Sequence, residues 1–176
     1  MLWHARTHME FTVVQGDIAV QEADAIVNAA GTSLDMGTGV AGALRRAGGE
    51  ALNDAAVHKG PVELGGVAVT GGYDLDAEYV IHAAAMPHYG DGKATAESIR
   101  GATLNALRAA DERGCASLVI PALGCGVAGF DLETGARIIA EAIERYEPEH
   151  LRDVRFVAYT DEEVETVRRV AEAVRE

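Results

Sequence analysis

Pro121-Ala122-Leu123-Gly124-Cys125-Gly126-Val127-Ala128-Gly129 is the stretch on which the fold turns. It follows a continuously apolar run, Ser117-Leu118-Val119-Ile120, and leads toward a helical pattern that begins near Asp131. Strand, glycine turn and helix in that order build parallel α/β sheets. A near copy of the turn, Gly37-Thr38-Gly39-Val40-Ala41-Gly42, stands earlier in the chain and also opens a helix. Glycine has a use at such places, because without a Cβ its backbone turns sharply and approaches a ligand closely. The amides of a helix start lack intrahelical acceptors and suit an anion. Two such loops at one sheet edge would grip a diphosphate from both sides. Ligands of α/β sheets sit beyond the carboxyl ends of the strands, where such loops gather. Tight turns and close helix packing are the alternative reading of either loop taken alone.

Outward from these loops the pattern alternates strand and helix. Phe11–Val14, Ala25–Val27 ending at Asn28, Gly66–Thr70, Tyr79–His82, Ser117–Pro121 and Val154–Tyr159 read as strands. Several are apolar without alternation, as strands covered on both faces are. Val40, Ala43, Leu44 and Ala47 share a helix face that Gly48-Gly49 ends. Ile99, Thr103, Ala106, Leu107 and Ala110 make an apolar stripe between Thr95 and Arg113, and Gly114 suits its left-handed stop. Ala136, Ile139, Ala142, Ile143 and Tyr146 repeat the pattern between Asp131 and Tyr146. Thr160-Asp161-Glu162-Glu163 predicts a capping box at the head of the last helix. The sum is a three-layer α/β/α domain of class α/β. Strand order is not expressed in the pattern.

The chain has 176 residues, 48% of them hydrophobic and 24% charged, so one ordered domain is expected and whole-chain disorder is excluded. No apolar run approaches the ~20 residues that span a bilayer, and no membrane partner is expected. Net charge is −13. Such a field repels a phosphate backbone, so DNA and RNA polymers are unexpected partners. It leaves room for one small nucleotide held by main-chain amides. Two cysteines, Cys115 and Cys125, without a Cys-x-x-Cys pair, argue against a disulfide scaffold and for a reducing, cytoplasmic setting. His58, His88 and His150 lack the spacing of metal ligands. Residues 1–8 read as an N-terminal extension without assigned function, with residues 9–176 as the domain. The acid excess, with lysine only at Lys59 and Lys93, fits a host whose salty cytosol screens self-repulsion. A GC-rich genome is the alternative.

The second glycine stretch also fits the Rossmann-type dinucleotide fingerprint, with Asp161 as the ribose acid. Asp161 stands well beyond the ~20 residues expected, and the first loop is separated from its strand by residues 28–36. A nicotinamide-dinucleotide domain is nevertheless a second reading of these residues.

Gly16-Asp17-Ile18, Val27-Asn28-Ala29-Ala30, Gly37-Thr38-Gly39-Val40-Ala41-Gly42-Ala43, Tyr79-Val80-Ile81-His82 and Pro121-Ala122-Leu123-Gly124-Cys125-Gly126-Val127 occur in an order and spacing that resemble the macrodomain, over roughly residues 9–174. The resemblance implies a mixed six-stranded sheet between helices and a surface cleft for ADP-ribose, with no cofactor beyond that ligand. The partner would be ADP-ribose itself or an ADP-ribosylated protein. Some members only bind. Others hydrolyse ADP-ribose from acidic side chains, deacylate O-acetyl-ADP-ribose, or remove the phosphate of ADP-ribose 1″-phosphate.

Carried over by position, Asp17 would accept from the adenine amine, as a donor requires, and the Ile18 amide would meet the ring. Asn28 belongs to the ligand-binding set. Gly37, Thr38, Gly39 and Val40 would wrap the diphosphate and distal ribose from one side, with Gly124, Cys125, Gly126 and Val127 supplying amides from the other. Tyr159 would lie against adenine. Hydrolytic members carry Asn where this chain has Gly31, Asp where it has Ala41 and, in many cases, an aromatic where it has Ala128. Phe130 stands nearby. These departures weaken hydrolysis more than binding, since general-base help is worth ~10²–10⁴-fold. No catalytic residue is assigned. Cys125 is expected to be a loop cysteine, although a helix start behind it would favour a thiolate. His82 reads as a satisfied core histidine, and the turn-rich segment Met86–Gly92, with Tyr89, as a cleft rim.

Overall fold

The computed structural model describes residues 8–88, 91–126 and 129–176. Six strands, β1 (Glu10–Gln15), β2 (Ala25–Gly31), β3 (Val67–Gly71), β4 (Tyr79–Met86), β5 (Ser117–Ile120) and β6 (Asp153–Ala158), join in one sheet in the order β1-β6-β5-β2-β4-β3. Every pairing is parallel except β3 with β4. The helices are α1 (Gly39–Gly48), α2 (Glu50–Lys59), α3 (Ala96–Glu112), α4 (Leu132–Arg145) and α5 (Asp161–Arg175). The expected mixed six-stranded α/β/α architecture is present. The order is not the 3-2-1-4-5-6 of a Rossmann sheet, so the dinucleotide-domain reading fails at the level of topology.

The continuous apolar runs serve two cores. Odd and even positions of each strand point to opposite faces. Ala25, Val27, Ile81, Leu118, Ile120, Val154 and Phe156 face the layer of α3, α4 and α5, in one cluster with Ile99, Leu107 and Ile139. Ile26, Val80, Val119 and Val157 face α1 and α2, in a second cluster with Leu44 and Leu52. Phe156 is fully buried, and its truncation to Ala would cost about 3–5 kcal/mol in transfer and cavity terms.

Helix starts are fixed by their caps. Thr95 accepts from the Ser98 amide while Ser98 Oγ accepts from the Thr95 amide, a complete capping box for α3. Asp131 accepts from Thr134 N at the head of α4. Thr160 accepts from Glu163 N at the head of α5. The expected second half of that box is not formed among the described residues, and Glu163 lines the cleft instead. One carboxylate from α3 secures the approach to β6: Asp111 accepts from the Tyr146 hydroxyl and from the amides of Glu149, His150 and Leu151. Burial raises the Asp111 pKa, but the three amides and the phenol outweigh it and hold the carboxyl below its ordinary range.

Three elements exceed the reading of the sequence. β2 continues past Asn28 to Gly31, and β4 continues past His82 to Met86. Both extensions are rich in alanine, a weak strand former in isolation, and they hold because β2 and β4 pair with each other from Ala25↔Tyr79 to Gly31↔Met86. α2 carries little amphipathic signal, which is why periodicity missed it.

Candidate functional site

The carboxyl ends of β2, β4, β5 and β6 open onto a cleft of about 620 Å³. Its walls combine the turn before β2 (Gly16, Asp17, Ile18), the loop into α1 with its first residues (Gly37 to Ala41), the turn after β5 (Gly124, Cys125, Gly126) and the end of β6 (Ala158, Tyr159). The two glycine loops, 87 residues apart between Gly37 and Gly124, face each other across one space.

Each wall has a local cause. The first intrahelical bond of α1 closes from Gly42 N to Thr38 O at 3.1 Å, so the preceding amides of Gly39, Val40 and Ala41 have no acceptor within the helix. Gly39 takes φ 60° to make that turn, a conformation costly for side-chain-bearing residues. On the facing wall Gly124 has φ 75°, and a Cβ on it would lie 2.7 Å from Ala94 Cβ, so both backbone angle and packing select glycine. Gly126 differs: among the described residues a Cβ there would meet nothing within 4 Å, and the residue lines the cleft. The Cys125 amide is partly committed, donating to Ala122 O at 3.3 Å.

Asp17 is both a cap and a cleft residue. Its Oδ1 accepts from Ala19 N at 2.9 Å, capping the 3-10 turn Ile18–Val20, and the residue lines the cleft. Ile18 is buried and lines the cleft beside it. Tyr159 is 68% exposed just beyond β6. The structure thus brings Asp17, Ile18, Gly37, Thr38, Gly39, Val40, Gly124, Cys125, Gly126 and Tyr159 to one cleft. Val127, Ala128 and Tyr89 lie outside the described residues.

Asn28 does not reach the cleft. It is fully buried on β2, with Nδ2 3.0 Å from His82 Nδ1. His82 Nε2 is 2.9 Å from Thr70 Oγ1, which donates to Gly71 O. That last bond fixes the chain of donors: the Thr70 hydroxyl proton is taken, so His82 Nε2–H donates to Thr70, and Nδ1 accepts from Asn28. Burial, with the Lys59 charge second, pushes the imidazole down to about 4, which keeps it neutral. His82 is the core histidine the sequence predicted, and Asn28 is its partner, a structural post beneath the cleft. Asn28 stands one residue before the cleft-lining Ala29, and the period of 2 along β2 sends the two side chains to opposite faces.

The thiol at Cys125 is buried, and burial, then the Asp131 charge, pushes it up to about 11. Both causes act in the same direction, so the Cys125 thiol is protonated at neutral pH and is not poised as a thiolate nucleophile. Phe130 and Met86 line the cleft on the α4 and β4 sides.

Sequence reasoning missed Asp35, Arg46 and Glu163, all cleft-lining. Arg46 carried a legible signal, since it stands seven positions after Gly39 on the same face of α1.

The profile of the Macro domain family matches residues 27–139. A protein of Mycobacterium tuberculosis is 43% identical over 153 residues, covering 87% of this chain and 42% of its own length, so this chain spans well under half of that relative. The fold matches the Oceanobacillus iheyensis macrodomain with ADP at a TM-score of 0.86 and 24% identity, covering 97% of this chain and 94% of the other. It also matches the Trypanosoma brucei macrodomain in complex with ADP-ribose at a TM-score of 0.79 and 26% identity, covering 90% and 68%.

Proposed function

We propose, from the premise that this chain belongs to the Macro domain family, that its cleft binds ADP-ribose, free or carried on a protein. The observation that carries the reading is the opposition of the α1 start and the Gly124–Gly126 turn across a single cleft. Main-chain donors there can neutralise a pyrophosphate in a chain whose net charge is −13. The T. brucei relative is named as a complex with ADP-ribose, and the cleft here, about 620 Å³, falls in the range of small-molecule sites. Asp17 supplies an acceptor for the adenine amine. Tyr159 supplies an exposed ring whose stacking would contribute ~1–3 kcal/mol.

Binding is favoured over turnover by what the cleft lacks. Gly31 and Ala41 offer neither carboxamide nor carboxylate, and the Cys125 thiol is protonated at neutral pH. Calorimetric titration with ADP-ribose and NAD tests the reading, followed by a turnover assay with O-acetyl-ADP-ribose. The expected result is saturable ADP-ribose binding, weaker NAD binding and no turnover. A preference for NAD, or affinity for neither, overturns it.

A further inference from the structure

Among the described residues, the walls of the cleft carry three carboxylates, Asp17, Asp35 and Glu163, and one guanidinium, Arg46. Arg46 differs from its neighbour in how its charge is met. Arg45 takes both oxygens of Glu50 at 2.7 and 2.8 Å, lies 3.7 Å from Asp35, and donates to Met36 O. Glu50 is the nearest carboxylate in sequence, and Arg45 occupies it. Arg46 has no hydrogen bond or ion pair among the described residues.

Its side chain also points the unfavourable way. Helical side chains lean toward the amino end, and Arg46 Nη1 lies 3.3 Å from where a Cβ on Gly42 would sit, with Gly37 O 3.1 Å from the same point. The guanidinium is therefore drawn back beside the first turns of α1. That is the positive end of the helix dipole, where a cation is disfavoured and an anion favoured. A lone cation at this place gains a partner only when an anion enters the cleft.

We infer that Arg46 is a specificity-determining residue of the cleft, adding a side-chain charge to main-chain recognition of the ligand's diphosphate. The inference rests on the ADP-ribose reading above and assigns the ionic part of the affinity to one residue. It makes recognition depend on ligand charge and on salt in a way that amides alone would not. A guanidinium can contact two phosphate oxygens at once, and Lys keeps the charge without that fork.

The test is calorimetric titration of the whole chain with ADP-ribose and with adenosine, at about 50 mM and about 1 M salt, where the screening length falls to ~3 Å. Wild type is compared with Arg46→Gln, Arg46→Lys and, as a control of equal charge change on α4, Arg137→Gln. Thermal midpoints confirm that each variant folds. Arg46→Gln is expected to weaken ADP-ribose about fivefold at low salt, the upper range for an exposed ion pair. It should leave adenosine unchanged, and its deficit should fade at high salt. Arg46→Lys should recover most of the loss, and Arg137→Gln should lose nothing. Equal loss on adenosine, equal loss in Arg137→Gln, or full affinity in Arg46→Gln overturns the assignment to Arg46. Absence of ADP-ribose binding by the wild-type chain instead brings down the functional reading, and the role of Arg46 with it.

Discussion

The carbonyl oxygen of Pro87 lies 3.1 Å from where a Cβ on Gly31 would be placed, and the Cα of His88 lies 3.7 Å from it. The segment after β4 is drawn over the end of β2, with His88 N donating to Thr32 Oγ1 and His88 Nδ1 2.9 Å from Ser33 Oγ. Gly31 is therefore a packed position as well as a missing functional group. Restoring the carboxamide by Gly31→Asn should destabilise the fold by about 1–3 kcal/mol, as overpacking does, and should not produce turnover. Urea unfolding with an O-acetyl-ADP-ribose assay checks both parts. A variant of undiminished stability that turns over substrate would show that the rim yields and that only the side chain was lacking.

Asp17→Ala should weaken ADP-ribose by roughly 1–3 kcal/mol, as for one hydrogen bond to a charged group. Because Oδ1 also caps Ala19 N, part of that loss could come through the 3-10 turn. Asp17→Ser retains a capping oxygen without the reach of the carboxylate, so it should bind as poorly as Asp17→Ala. Recovery of affinity in Asp17→Ser would assign Asp17 to the turn alone.

The two glycines of the second loop should separate binding from folding. A Cβ at Gly126 would meet none of the described residues within 4 Å, so the Gly126→Glu variant should unfold at the wild-type denaturant midpoint while ADP-ribose binding is abolished. Gly124→Ala meets φ 75° and Ala94 Cβ at 2.7 Å, so it should lose stability by at least ~1 kcal/mol. A folded Gly126→Glu chain with normal affinity would remove that loop from the diphosphate site.

Acid should weaken the fold through His82. Its pKa is about 4 when folded and 6.5 in the ordinary state. The unfolded chain then binds the proton more readily, and stability present above pH 6.5 is lost as pH falls toward 4. The shift corresponds to about 3 kcal/mol at 1.36 kcal/mol per unit. Urea midpoints at several pH values across that window should fall more steeply for wild type than for His82→Gln, which holds no titrating ring. Parallel slopes would place the acid sensitivity elsewhere.

Much of this was legible in the chain, and the gaps have physical causes. The strand cores, the helix start at Thr160 and the glycine loops could be read because each rests on local chemistry. The sheet order could not, since pairings such as Val13 with Phe156 depend on contacts far apart in sequence. The alanine ends of β2 and β4 exist through each other and give no separate signal. Asn28 and Asp17 were both expected at the ligand. Only Asp17 lines the cleft, because the pleat turns Asn28 toward His82. Arg46 stood in plain periodic register with Gly39 but required Glu50 to be seen on Arg45 before its charge had meaning.

Because β3 runs against β4, the turn from Gly72 to Glu78 emerges at the amino ends of the parallel strands, at the opposite end of the sheet from the cleft. Asp76 is exposed there, while both native thiols, Cys115 and Cys125, are buried. A single cysteine introduced at Asp76 would therefore give a chemically distinct handle, by which the protein can be immobilised on a sensor or labelled with a dye so that its mouth faces the solution.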